Sequence, residues 1–277
     1  MADQPLDASS RNLNTTDLSV FEPALHDLAD CSAKVILPFF RSKLDVEEKH
    51  EKGYYDPVTA ADRGAEEIMR KLIGERFPDH GIIGEEFPNK DPDAELCWVF
   101  DPIDGTRAFI IGAPTWGTLI GLSHNGQPQL GMMNQPFTGE RFWGGPIGAF
   151  YRQGDNCNPS KLTTSSVTDL NNAVLSSTAP EHFTHRGGWE KFQALSEKTR
   201  MTRYGYDCYA YCLLAMGLVD VVCEAGLATY DIAPLVPIIK AAGGVVTTWD
   251  DDDPANGGAI LASANRELHD RSLEALS

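Results

Sequence analysis

Apolar residues recur at helical spacing over two stretches in the first third of the chain. In residues 18–40 they lie mostly three or four positions apart, which predicts an opening helix. Residues 62–77 repeat this pattern, with Asp62 near the predicted helix start and Pro78 at its end. Residues 45–56 between them are charged, and they predict a loop or a short strand.

The pattern then changes to short apolar runs bounded by acidic or turn residues. Such runs predict strands, many of them buried. Asn125-Gly126 stands between two of them and predicts a hairpin, because both residues tolerate positive φ. We therefore expect this half to place helices on an antiparallel or mixed sheet. The runs are 81–84, 96–100, 115–122, 129–134 and 140–150.

The second half alternates between strand and helix patterns, which predicts a layered α/β unit. The predicted strands are 173–177, 219–224, 244–248 and 260–262, and the predicted helices are 188–198, 208–218, 232–242 and 265–276. We place the join at residue 165. The fold class is then α/β (α+β), with an N-terminal sub-domain over 1–165 and a C-terminal one over 166–277.

The net charge of −17 argues against nucleic acid or an anionic membrane as a partner, because both require a positive field. No apolar stretch approaches the roughly 20 residues of a membrane-spanning helix. Residues 1–16 are polar and lack the order of a signal peptide, so we expect a partly disordered lead-in and a cytoplasmic protein.

Cysteine and histidine spacing gives no zinc signature. The six cysteines form no C-x-x-C pair, and Cys208 and Cys212, which could share a helix face, have no histidine nearby. We expect reduced, mostly buried thiols. His182 and His185 are bracketed by a proline and a glycine, which favours a loop over a metal-binding helix.

Three segments place carboxylates where an apolar run meets a turn or a helix start. They are Gly84-Glu85-Glu86, Asp101-Pro102-Ile103-Asp104-Gly105-Thr106 and Tyr230-Asp231-Ile232-Ala233. Buried charges need partners, and a hard divalent cation satisfies several carboxylates together.

The middle segment has the residues for a tight metal-binding turn. Pro102 stiffens the chain and Gly105 permits a sharp turn, so Asp101, Asp104 and the Ile103 carbonyl can point at one place.

We expect two Mg²⁺ ions in this region, and a pair of such ions suits phosphoryl transfer. The ions would also supply the positive charge that a phosphate site needs in an acidic protein. Their ligands would be Glu85, Asp101, Asp104 and Asp231. The backbone N–H groups of Gly105 and Thr106 would hold phosphate oxygens.

Each segment also has a purely structural interpretation. Residues 101–106 could be only a turn after a strand, and Glu85-Glu86 could be a solvated strand end. Asp231 could be a helix N-cap. Spacing alone leaves these alternatives open.

The same segments resemble the inositol-monophosphatase-like superfamily. Residues 101–106 match its signature, and Tyr230 to Ala233, followed by an apolar run and Ala242-Gly243-Gly244, match a second one. The Gly-Glu-Glu element and residues 58–62 also match, in the right order. The resemblance extends from about Phe21 to the end of the chain.

This resemblance implies a layered α-β-α-β-α sandwich of the inositol monophosphatase and fructose-1,6-bisphosphatase type, two or three Mg²⁺ ions per subunit, and usually a homodimer. It implies direct in-line attack by water on a small phosphorylated metabolite. The implied metal ligands are Glu85, Asp101, the Ile103 carbonyl, Asp104 and Asp231. Thr106, with Asp62 or Glu85, would orient and deprotonate the water. Asp62 and Glu86 would either support the ligands from just outside them or hold a third metal ion.

Residues 106–110, 116–120, 203–211 and 224–227 resemble the histidinol-phosphatase branch. This implies hydrolysis of L-histidinol phosphate, a step of histidine biosynthesis. That substrate carries an ammonium and an imidazole, so its pocket should offer carboxylates such as Asp207 and Glu224. Asp207 could instead be a helix N-cap, and Arg203 could pair with Asp207 or reach the phosphate.

The chain departs from the branch at Tyr206, where a glycine is more common, and at Pro234. Pro237 should kink the predicted helix or delay its regular part. Alternative substrates are inositol 1-phosphate, another sugar phosphate or a nucleotide 3′-phosphate. A non-catalytic metal or phosphate binder would be expected to lack Thr106 or a metal carboxylate, and all are present.

Overall fold

The computed structural model describes residues 17–42, 46–51, 54–154, 157–186 and 188–277. Residues 17, 46–51, 54–59 and 185–186 are described by their backbone only. The prediction for residues 1–16 lies outside the described residues. No described helix has the length and apolar character needed to cross a membrane.

The described residues form α-helices, β-strands and several short 3₁₀ helices. The helices are α1 Glu22–Ile36, α2 Ala60–Arg76, α3 Thr106–Ile110, α4 Pro180–Arg186, α5 Trp189–Lys198, α6 Cys208–Ala215, α7 Thr229–Ile232, α8 Val236–Ala241 and α9 Arg266–Leu276. The strands are β1 Val46–Glu51, β2 Tyr54–Thr59, β3 Gly81–Gly84, β4 Leu96–Asp104, β5 Gly117–His124, β6 Gln127–Gln135, β7 Glu140–Gly145, β8 Gly148–Gln153, β9 Ser160–Lys161, β10 Val174–Ser177, β11 Met201–Tyr204, β12 Val221–Leu227, β13 Val245–Thr248 and β14 Gly258–Ser263.

These strands form three sheets. Strands β1 and β2 pair as a hairpin, and β3 to β9 form a seven-stranded sheet in sequence order. The third sheet has the order β11-β10-β12-β14-β13, with β10 parallel to both of its neighbours. The seven-stranded sheet ends before residue 165 and the five-stranded sheet begins after it, and the sub-domain boundary stays a prediction.

Apolar side chains hold five layers together. Helices α1 and α2 bury Leu28 and Met69 against Trp98 on the outer face of the seven-stranded sheet. Helices α6 and α8 lie between the two large sheets in a shared core. Helices α4, α5 and α9 cover the far face of the five-stranded sheet. The α-β-α-β-α sandwich is therefore confirmed.

Close backbone packing brings α7 and α8 against the seven-stranded sheet. A Cβ on Gly131 of β6 would lie 1.8 Å from the Pro234 carbonyl oxygen, and one on Gly144 of β7 would lie 2.6 Å from the Ile238 Cα. Only glycine permits these distances. The contact fixes the position of α7, which carries Asp231.

Most predicted elements are present, with shifted ends. The hairpin at Asn125-Gly126 is confirmed, and both residues have positive φ. Helix α1 ends at Ile36, before the predicted end at residue 40. The charged stretch 45–56 contributes to β1 and β2. The predicted helix 232–242 is shortened to α8, because only its first residue, Ile232, belongs to α7. Pro237 lies in the first turn of α8, so the regular part of the helix is delayed.

Candidate active site

The three carboxylate segments meet at one cavity of about 310 Å³. Glu85 follows the end of β3, Asp101 and Asp104 lie on β4, and Asp231 lies on α7. All four line the cavity, and Asp207 lines it as well. The fold therefore gathers acidic side chains from distant parts of the chain.

Three of these carboxylates are close enough to share a cation. One oxygen from each of Asp101, Asp104 and Asp231 lies within 4.8 Å of the others. Burial raises the pKa of Asp101 well above its usual range, and the charges of Glu85 and Asp104 raise it further. A divalent cation would relieve this repulsion, and an all-oxygen donor set fits Mg²⁺.

The turn after β4 is built by its own hydrogen bonds. The Ile103 N–H donates to Asp101 Oδ1 at 3.0 Å, and Thr106 Oγ1 donates to the Ile103 carbonyl at 3.1 Å. Gly105 adopts φ 82°, a left-handed conformation that suits glycine. The segment is therefore a turn, and that turn brings Asp101 and Asp104 to the same cavity.

Asp104 and Asp231 are both held by backbone N–H groups. The Cys208 N–H donates to Asp104 Oδ2 at 2.7 Å, and burial, followed by the charge of Asp207, raises the pKa of Asp104 to about 7. Asp231 lies within α7 and accepts the Ala228 N–H at 2.7 Å. It is therefore not the N-cap residue of that helix.

Asp62 and Glu86 were expected to lie just outside the metal ligands. Asp62 is 2% exposed in the first turn of α2, and its charge contributes to the raised pKa of Asp101. Glu86 is partly buried, and its backbone N–H donates to Glu66. Neither Asp62 nor Glu86 lines the cavity.

Two further carboxylates extend the acidic lining. Asp207 occupies the N-cap position of α6 but makes no side-chain capping bond. Burial raises its pKa to about 6, and Arg107 opposes that shift. Glu224 is 1% exposed and accepts the Thr178 N–H at 2.7 Å and its hydroxyl at 2.9 Å. Burial raises the pKa of Glu224 to about 8.

The structure leaves Arg203 outside the cavity, because it lies exposed on β11, a strand that the sequence did not predict. Arg107 lines the cavity instead, and its adjacency to Thr106 could have indicated this. The predicted loop around His182 is wrong, because His182 belongs to α4, and it also lines the cavity. Tyr211 was likewise missed, although it follows Asp207 by one helical turn.

Comparison with known proteins identifies the type of site. The model of the inositol monophosphatase family matches residues 17–277. The chain belongs to this family. The bifunctional phosphatase IMPL2 of Arabidopsis thaliana is 38% identical over 279 residues, covering 97% of this chain and 78% of that protein.

Other members of the inositol monophosphatase family carry different substrate names. A histidinol-phosphatase of Mycobacterium tuberculosis is 34% identical over 255 residues, covering 92% of this chain and 95% of that protein. A solved inositol monophosphatase from Zymomonas mobilis is 39% identical, with a TM-score of 0.80, and the match covers 92% of this chain and 98% of that one. The chain is thus a phosphomonoester hydrolase of this family.

Proposed function

We propose that this enzyme uses Mg²⁺ to hydrolyse L-histidinol phosphate to L-histidinol and phosphate, as a step of histidine biosynthesis. The observation that supports this substrate is the position of Asp207 and Glu224. They add two carboxylates to a cavity that already holds the metal-binding group. A leaving alcohol that carries an ammonium and an imidazole suits such an acidic wall.

Glu85, Asp101, Asp104, Asp231 and the Ile103 carbonyl would hold Mg²⁺. When bound, the ions supply positive charge for the phosphate and acidify the attacking water. The ligand set is well supported for the three aspartates, whose oxygens already lie within 4.8 Å of one another.

Thr106 would orient the attacking water. Its hydroxyl hydrogen is donated to the Ile103 carbonyl, so its oxygen is left to accept a hydrogen from the water. Glu85 lines the cavity and would take the water's proton, with Asp62 behind it as the alternative acceptor. The N–H groups of Gly105 and Thr106 would hold phosphate oxygens during in-line displacement.

Inositol 1-phosphate is the second candidate substrate, because the 39% identical Zymomonas mobilis protein is an inositol monophosphatase. A phosphate-release assay in Mg²⁺ separates the two. We expect kcat/KM for histidinol phosphate to exceed that for inositol 1-phosphate by at least about tenfold. Equal or faster release from inositol 1-phosphate contradicts the proposed substrate.

We also propose a homodimer, on the strength of the family resemblance. Light scattering coupled to size-exclusion chromatography tests it, and a mass near the 30.3 kDa of one chain would contradict it.

A further inference from the structure

Tyr211 lies on α6 and lines the cavity, but it has no role in the proposed reaction. Its side chain is 3% exposed and lines the same cavity as Asp104 and Asp231. Its hydroxyl has no hydrogen-bond partner within the described part of the chain. A buried hydroxyl without a partner destabilises the fold, and phenylalanine would fill the same space without that penalty. Packing alone therefore does not explain a tyrosine here.

Glu224 also has a buried oxygen without a hydrogen-bond partner in the described part of the chain. Its Oε1 accepts both hydrogen bonds from Thr178, whereas its Oε2 is buried with no partner among residues that the structure describes. The two groups line the same cavity, and after burial the charge of Glu224 is the largest influence raising the pKa of Tyr211. Tyr211 therefore keeps its proton at neutral pH, and its hydroxyl can both donate and accept.

The strand register explains why these groups meet. Ser176 on β10 pairs with Val222 on β12, two positions before Glu224, so Ser176 and Glu224 project from the same face of the five-stranded sheet. Val222 and Tyr211 belong to one apolar cluster, so this face packs against α6. The Ser176 hydroxyl is also buried and has no partner in the described residues. Among the described residues, two buried oxygens without partners, Ser176 Oγ and Glu224 Oε2, thus project from the sheet face that packs against α6.

We propose that Tyr211 is a specificity-determining residue which, together with Oε2 of Glu224, binds a hydrogen-bonding group of the leaving alcohol. The inference rests on the proposed phosphatase function of this cavity. An alcohol bearing an N–H or O–H group satisfies both oxygens. The leaving group of phenyl phosphate bears no such group, so it gains nothing from either oxygen.

The chain supplies a matched control on the same helix. Tyr209 does not line the cavity, and its hydroxyl donates to Glu140 at 2.6 Å. Tyr209→Phe removes a hydrogen bond that the fold uses, whereas Tyr211→Phe removes a hydroxyl that the fold leaves without a partner. The two substitutions change the same atom and differ only in its surroundings.

The experiment measures kcat/KM of the Mg²⁺-loaded enzyme for histidinol phosphate, inositol 1-phosphate and phenyl phosphate, together with Tm. For Tyr211→Phe we expect the ratio of the preferred alcohol phosphate to phenyl phosphate to fall about tenfold, with no fall in Tm. For Tyr209→Phe we expect a lower Tm and an unchanged ratio.

An unchanged ratio in Tyr211→Phe, or a loss of Tm like that of Tyr209→Phe, overturns the assignment of Tyr211. The wild-type preference tests the proposed substrate separately. If inositol 1-phosphate is preferred, the proposed substrate fails, and the ratio measured with inositol 1-phosphate still decides the role of Tyr211. If the wild-type enzyme releases no phosphate from any of the three compounds, both proposals fail.

Discussion

The buried carboxylate of Glu66 accepts the backbone N–H of Glu86 at 2.8 Å. Its other oxygen accepts a hydrogen bond from Nε of Arg70 at 2.7 Å. Nη2 of Arg70 donates a hydrogen bond to the Phe87 carbonyl at 3.0 Å. Helix α2 therefore fixes the backbone that follows Glu85, the proposed metal ligand and proton acceptor.

Gly84 makes this contact possible. A Cβ at that position would lie 2.2 Å from Oε1 of Glu66, so any larger residue would displace the carboxylate. The Gly-Glu-Glu element thus needs glycine for the approach of α2.

Glu66→Gln should loosen this support. The substitution keeps the side-chain shape but weakens the bonds from Arg70 and Glu86, so we expect a stability loss of about 1–3 kcal/mol. We also expect kcat to fall about tenfold and the Mg²⁺ concentration for half-maximal activity to rise. A Mg²⁺ titration of activity measures kcat and the Mg²⁺ requirement, and urea unfolding measures the loss of stability. The exposed neighbour Glu67→Gln is the control, and an equal Mg²⁺ requirement in both variants would contradict a positioning role for Glu66.

Local sequence was sufficient to predict the turn at residues 101–106, whereas its role as a metal site stays a prediction. Pro102 and Gly105 restrict the backbone between Asp101 and Thr106, so the direction of the two aspartates follows from nearby residues alone. The hairpin at Asn125-Gly126 was predictable for the same reason. These features depend on few residues, all close in the chain.

The far wall of the cavity depends on contacts between distant segments. His182 approaches because α4 packs on β12, and nothing near His182 in the chain encodes that contact. Arg203 was predicted to lie in the substrate site because residues 203–211 resemble the histidinol-phosphatase branch. However, β11 forms at the edge of the sheet and leaves the Arg203 side chain exposed. Tertiary packing decides both positions.

Gly131→Ala should strongly destabilise the fold. The new Cβ would lie 1.8 Å from the Pro234 carbonyl oxygen, so the α7–α8 segment must move away from β6. We expect a loss of about 3 kcal/mol or more, with lower activity because Asp231 moves as well. Gly74→Ala is the contrast, since its Cβ meets nothing within 4 Å in α2, and it should stabilise by about 1 kcal/mol. Urea unfolding of the two variants measures the free energy of unfolding, which should fall in Gly131→Ala and rise in Gly74→Ala.

Asp104→Asn should nearly abolish turnover and leave the fold intact. The amide oxygen can still accept the Cys208 N–H, but one negative charge is lost from the metal-binding group. We expect a loss of at least about 100-fold in kcat, with Tm of the metal-free protein not lowered. A chelator should abolish the activity of the wild-type enzyme, and added Mg²⁺ should restore that activity. Near-normal activity of Asp104→Asn with metal bound would refute the ligand set, and the exposed Asp93→Asn is the control.

Glu224 should make the metal-free protein less stable as pH rises. Burial raises its pKa from 4.5 to about 8, so between these values the folded protein holds a proton that the unfolded chain has released. The free energy of unfolding should therefore fall from pH 5 to pH 8, by on the order of a few kcal/mol. Asp104 and Asp207 act in the same direction, since their pKa values are raised as well.

Glu224→Gln should flatten this pH dependence, because an amide does not titrate. Urea unfolding at several pH values in a chelator measures the slope for the wild type and the variant. The exposed Glu75→Gln should retain the wild-type slope. A slope in Glu224→Gln as steep as in the wild type would mean that Glu224 is ionised in the folded protein.

Asp207 is held in a backbone conformation that favours glycine, with φ 47° and ψ −137°. Asp207→Gly should relieve this strain and raise stability by about 1 kcal/mol after the larger entropy of the unfolded chain is subtracted. Asp207→Asn keeps the strain and removes only the charge, so its stability gain should be smaller.

Both Asp207 substitutions remove a carboxylate from the cavity wall. We therefore expect each to lower the preference for histidinol phosphate over inositol 1-phosphate, by about tenfold. Tm and the ratio of kcat/KM values are measured for the two variants side by side. A larger rise in Tm for Asp207→Gly than for Asp207→Asn, with the preference lost in both, means that the chain tolerates a strained residue because its carboxylate contacts the substrate. Equal Tm values in the two variants would contradict the claim that residue 207 is strained. An unchanged preference would show that Asp207 does not contact the substrate.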